Sequence, residues 1–107
     1  MSTAVGLDFS TLARKDLLDI ARYIARDNPQ SARGFVIDLR QQCVLLSKQP
    51  GLGVARTDLA EGLRMLPYGR YLIFFSATEL GILVERVLHS ARNLSPLFNT
   101  PTDLPPT

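Results

Sequence analysis

The apolar residues of this chain follow a helical period as far as about residue 50 and a period of two beyond it. Ahead of the helical part, "AVGLDF" alternates Val5, Leu7 and Phe9 with smaller or polar residues and predicts a short strand. Ser10 or Thr11 then offers a side-chain oxygen to an orphan backbone N–H and opens a helix. Ala13, Leu17, Ile20, Ala21 and Ile24 give that helix one apolar face, and it is expected to stop near Asp27. Asn28 suits a second N-cap. Pro29 suits the first helical position, where its missing N–H costs nothing. The second helix carries Ala32, Phe35, Val36, Leu39, Cys43 and Leu46 on one face and ends before Pro50. A near-zero connection between two helices predicts an antiparallel hairpin.

After the loop "PGLG" the pattern reads "LRMLP", a turn at "YG", "RYLIFFS", a turn at "ATELG", and "ILVERVLH". Three consecutive strands with short connections predict an antiparallel meander. The fold class is therefore α+β, in the order β-α-α-β-β-β. An N-terminal strand and an antiparallel helical hairpin pack on a small antiparallel sheet. Residues 1–98 are expected to form a single domain. The Pro-rich end, residues 99–107, is expected to be disordered.

Composition narrows the function classes. A chain of 107 residues, 46% hydrophobic, can bury the core of one domain. Its longest unbroken apolar run is "YLIFF", whereas a membrane helix needs about 20 residues. The N-terminus lacks the basic and apolar regions of a secretory signal, so a cytoplasmic protein is expected. Net charge is +2, too small to argue for nucleic acid on charge alone. Over residues 62–100, however, Arg64, Arg70, Arg86 and Arg92 outnumber Glu79 and Glu85. One histidine and one cysteine cannot make a conventional zinc site. Cys43 sits on an apolar helical face and reads as core, as does Met65. "GLG" at Gly51–Gly53 lacks the residues of a phosphate loop. No cofactor or metal is expected.

Three stretches, "ARKDLLDIARYIARDNPQSARGF", "QPGLGVARTDLAEGLRMLPYGRYLIFF" and "RVLHSAR", cover roughly residues 10–93. In order and spacing they resemble the ParE-type toxins of the RelE/ParE superfamily. The resemblance implies the toxin of a type II toxin–antitoxin system, of the kind that causes growth arrest and serves plasmid stabilisation. It also implies a ParD-like antitoxin that neutralises the toxin by direct binding. Operator DNA would be reached only through that antitoxin. The usual ParE target is DNA gyrase, whose inhibition blocks replication. RelE-type relatives instead act as ribosome-dependent mRNA endoribonucleases.

A ribonuclease needs a group to activate the 2′-OH, cations for the phosphorane charge and an acid for the leaving oxygen, and His89 could serve as base or acid. An imidazole titrates near neutrality, so His89 with Arg64 and Arg86 sketches such a site. Some ribonucleolytic relatives follow a histidine near the chain end with a tyrosine. Here Ser90 follows, and the form "RVLHSAR" looks like the ParE branch. The leading expectation is a gyrase poison without catalytic residues, its target surface formed by Arg64, Arg70, Arg86, His89 and Arg92. The plainer alternative makes His89 a strand-end residue that fixes a turn. It makes the arginines a solvated face with cross-strand pairs, such as Arg70 or Arg86 with Glu85. A further alternative is a non-toxic remnant that only binds its antitoxin. Leu18, Ile37 and Val44 point off the main helical faces. They are either scattered exposed apolar residues or a groove for an amphipathic antitoxin segment.

Overall fold

A computed structural model of the chain describes residues 6–92. Strand β1 (Leu7–Phe9) leads into helix α1 (Thr11–Ala25), and α2 (Pro29–Lys48) follows after three residues. Ser10 Oγ accepts the Ala13 N–H and caps α1. Asn28 Oδ1 accepts the Gln30 and Ser31 N–H groups and caps α2, with Pro29 at the first helical position. A 3₁₀ turn, Pro50–Leu52, occupies "PGL". A two-residue strand, β2 (Val54–Ala55), comes next, then β3 (Leu63–Tyr68), β4 (Tyr71–Ala77) and β5 (Ile82–His89).

The expected meander is present, and the sheet extends past both of its ends. Its order is β1-β5-β4-β3-β2. Strand β1 lies parallel to β5, pairing Leu7, Asp8 and Phe9 with Ile82, Leu83 and Val84. All other pairings are antiparallel. The β1–β5 crossing starts where two glycine backbones meet. A Cβ on Gly81 would stand 2.0 Å from the Gly6 carbonyl oxygen. The β3–β4 turn falls one residue later than expected. Tyr68 and Tyr71 are register partners, so the turn is Gly69–Arg70 and Arg70 stands at its tip. Gly69 takes the left-handed conformation, φ 58°, that tight hairpin turns require.

The hairpin packs on one sheet face. Leu7, Ala13, Leu39, Cys43, Leu46, Ile73, Phe75, Ile82, Val84 and Val87 form the main core, all buried. Val84 and Val87 both belong to it although strict alternation would put them on opposite faces. A bulge explains this: Phe74 pairs with Arg86 and Phe75 with Val84, leaving Glu85 as the extra residue. On the other sheet face Leu63, Phe74 and Leu88 are buried, with Leu59, Ala60, Met65 and Leu72 against them. Among the described residues no helix is long and apolar enough to cross a membrane. The tail expected to be disordered, residues 99–107, lies outside the described residues, as does Val5 of the expected first strand.

Candidate functional site

Beyond Val84, strand β5 has no β1 partner, and a bare strand edge leaves backbone groups unsatisfied. The start of α1 fills that role. Ser10 N–H donates to the Val84 carbonyl and Ser10 Oγ donates to the Glu85 carbonyl, both within ordinary hydrogen-bond distance. Six residues after Ser10 the Asp16 carboxylate accepts the Val87 N–H at 3.0 Å. It also accepts two bonds from the Arg86 guanidinium, at 2.9 and 3.0 Å. Arg86 and Asp16 are largely buried, with side chains 16% and 11% exposed. Hydrogen bonding to Asp16 pushes the Arg86 guanidinium further above its already high pKa. The expected Arg86–Glu85 pair does not form. Glu85 is the bulged residue on the same strand, and the bidentate geometry of Asp16 outcompetes it.

Arg64 is also committed. Its guanidinium donates to the carbonyls of Pro50 and Gly53 and ties the 3₁₀ turn to β3. It stands far from the C-terminal end of β5. Arg64 pairs with Phe75, while His89 pairs with Tyr71, which faces Tyr68. Four residues of β3 separate the two ends, roughly 13 Å at strand rise.

The remaining candidates converge. Arg70, His89 and Arg92 line one cavity of about 320 Å³, together with Tyr71, Val87, Leu88 and a stripe of α1, Asp16, Asp19, Ile20 and Tyr23. Of that α1 stripe the sequence singled out only Ile20, and as a stripe it escaped notice. Its spacing of three, one and three was the available signal, masked by the neighbouring apolar stripe that faces the sheet. Asp19 is paired with Lys15 at 2.9 Å.

A chain of rings holds this end of the sheet. Phe35 of α2 packs against Tyr68 and Tyr71, with centroids 5.8 and 5.2 Å apart. Tyr71 stands edge-on to His89 at 5.3 Å. Burial pushes the Tyr68 phenol above its usual pKa, helped by the nearby Asp38 charge. His89 Nδ1 accepts the Ala91 N–H at 3.0 Å. That bond assigns the neutral ring's proton to Nε2. His89 therefore does fix the final turn, as the plainer alternative held, and it also lines the cavity.

Of the residues expected to meet an antitoxin, Leu18, Ile37 and Val44 are 50%, 55% and 37% exposed. Ile37 lines a second, apolar groove of about 550 Å³ on the hairpin. Its other walls are Ala21, Ala25, Pro29, Ala32 and Val36, with Arg22 and Arg33 beside them. Leu18 and Val44 are not part of that lining. Cys43 is fully buried, and desolvation pushes its thiol from 9.0 up to about 12, as a core residue requires. Among the described residues no cluster of histidine, cysteine or carboxylates could hold a metal.

The chain matches the family model of the ParE toxin of the type II toxin–antitoxin system parDE over residues 7–94. Among solved structures it is similar to the chromosomal ParDE toxin–antitoxin system from P. aeruginosa, with a TM-score of 0.66 and 23% identity. That match covers 82% of this chain and 98% of the other. At this identity the likeness establishes the fold. No curated protein sequence matches.

Proposed function

The chain belongs to the ParE toxin family of type II toxin–antitoxin systems, and on that premise we propose that it is a binding poison of DNA gyrase, acting in the bacterial cytoplasm and neutralised by a ParD-like antitoxin. The target surface is the cavity of Arg70, His89 and Arg92. The antitoxin surface is the outer face of the helical hairpin, with Ile37 in its groove and Leu18 and Val44 along the same hairpin.

The observation that carries the reading is the state of the groups a nuclease would use. Arg64 and Arg86 are held by other partners. In the tautomer fixed by Ala91, Nε2 of His89 carries a proton and has no lone pair to accept another. A general base must reach the proton it abstracts with a free lone pair. What remains is a set of donors around a concave surface, suited to binding. An antitoxin partner is in keeping with the similar P. aeruginosa structure, described as a ParDE system.

The test is a gyrase supercoiling assay with purified protein, with and without antitoxin, beside a ribosome-plus-mRNA cleavage assay. Inhibited supercoiling that the antitoxin relieves, with intact mRNA, is expected. Cut mRNA with active gyrase would put His89 at the centre of a nuclease. Neither activity, from folded protein, would leave only antitoxin binding.

A further inference from the structure

The cavity of Arg70, His89 and Arg92 sorts into spent and unspent groups. Its two carboxylates both have partners: Asp16 is largely buried on Arg86 and the Val87 amide, and Asp19 meets Lys15 in an exposed bridge through one oxygen. Arg70 and Arg92 are exposed, and their guanidinium groups make no hydrogen bond or ion pair among the described residues. His89 has spent Nδ1 and keeps the Nε2–H. The charged and imidazole groups without a partner are therefore all donors, and two are cations. Ile20 of α1 adds an apolar side chain to the lining, and Tyr23 and Tyr71 supply ring faces.

We propose that this cavity is a receptor for a single carboxylate side chain presented by a protein partner, held between Arg70 and Arg92 with His89 Nε2–H as a third donor. The proposal rests on the gyrase reading for the identity of that partner, and on the cavity alone for the chemistry. Guanidinium matches a carboxylate with two parallel bonds. Ile20 and the tyrosine rings accommodate the methylenes of a glutamate, and arginine beside tyrosine is the composition of a protein–protein hot spot. A nucleic-acid backbone fits less well. It brings a run of phosphates, and this cavity offers only the two unpaired cations Arg70 and Arg92 to meet it.

The experiment is a nitrogen-15 NMR titration of the whole protein with N-acetyl-glutamate amide, observing backbone amides and arginine side chains. The uncharged glutamine counterpart, inorganic phosphate and a short DNA duplex are run in parallel. Millimolar glutamate is expected to shift Arg70, His89 and Arg92. The glutamine counterpart should not, and the shifts should vanish in the Arg70→Gln, Arg92→Gln variant. No shift, or tighter binding of phosphate or DNA than of glutamate, overturns the proposal. The same double variant, checked for an unchanged melting temperature, is expected to inhibit gyrase on the order of tenfold to a hundredfold less strongly. Glutamate binding with undiminished gyrase inhibition would support the carboxylate receptor and count against gyrase as its partner.

Discussion

Asp16 receives three hydrogen bonds from β5, two from the Arg86 guanidinium and one from the Val87 amide. Removing it leaves a largely buried guanidinium and a strand N–H without partners. Asp16→Ala is expected to cost about 2 kcal/mol in urea unfolding, a figure reduced from the fully buried case because both side chains keep some solvent. A loss within the error of the wild-type midpoint would show that water replaces these bonds. This also separates two arginines that look alike in "RVLHSAR". Substituting Arg86 acts through stability, whereas substituting exposed Arg92 acts on the surface alone. Cys43 gives the second residue-scale prediction. Folding raises its pKa from 9.0 to about 12 by burial. The folded state thus holds the thiol proton more tightly than the unfolded chain. The group adds no pH dependence below about 9, and stability falls as pH rises from there toward 12. At neutral pH native protein should resist thiol alkylation, which should proceed only at the rate of opening. Rapid stoichiometric labelling would contradict this burial.

At the scale of elements, the join between β1 and β5 has almost no slack. Three residue pairs hold it, and it begins at the Gly6–Gly81 crossing. Gly6 also has a φ of 86°, a conformation L side chains avoid. Gly81→Ala should push the two backbones apart and destabilise the protein by roughly 1–3 kcal/mol, the range of forced overpacking. Amide exchange should locate the damage at β1 and the first half of β5, with α2 protected as before. Uniform loss of protection would mean that β1 docking is inseparable from the whole fold. The caps, the helix faces and the meander were legible in the sequence because each is a local pattern. The bulge at Glu85 was not. "ILVERVLH" breaks alternation at Glu85 and Arg86, but which residue is extra shows only when β4 is laid beside it.

At the scale of the molecule, the cavity and the hairpin groove use different faces of α1. Asp16, Asp19, Ile20 and Tyr23 serve the first, and Ala21, Arg22 and Ala25 serve the second. A target on one and an antitoxin on the other need not share a single contact residue. Ile37→Asp with Val44→Asp is expected to weaken antitoxin binding by tenfold or more in calorimetry, an estimate on the order of one hot-spot side chain. Because both sites are exposed, stability should change by about 1 kcal/mol or less. The same variant should inhibit gyrase as wild type does. Undiminished antitoxin affinity would remove the hairpin from the interface.

By itself the sequence determined the two capped helices, their hairpin, the three-strand meander and the helical share of the core, Ala13, Leu39, Cys43 and Leu46. These follow from periods and caps read within a few residues, where the chain's own geometry decides which side chains share a face. Only the tertiary structure decided that β1 joins β5 in parallel. It also decided that Asp16 takes Arg86, and that Arg64 turns away to the Pro50 and Gly53 carbonyls. The gathering of Arg70, His89 and Arg92 beside α1 was settled there too. Each of these joins residues far apart in the chain, up to 75 positions for Ser10 and Glu85. Such pairings depend on how the hairpin crosses the sheet and on where one extra residue bulges, and a side chain's local pattern carries no record of either.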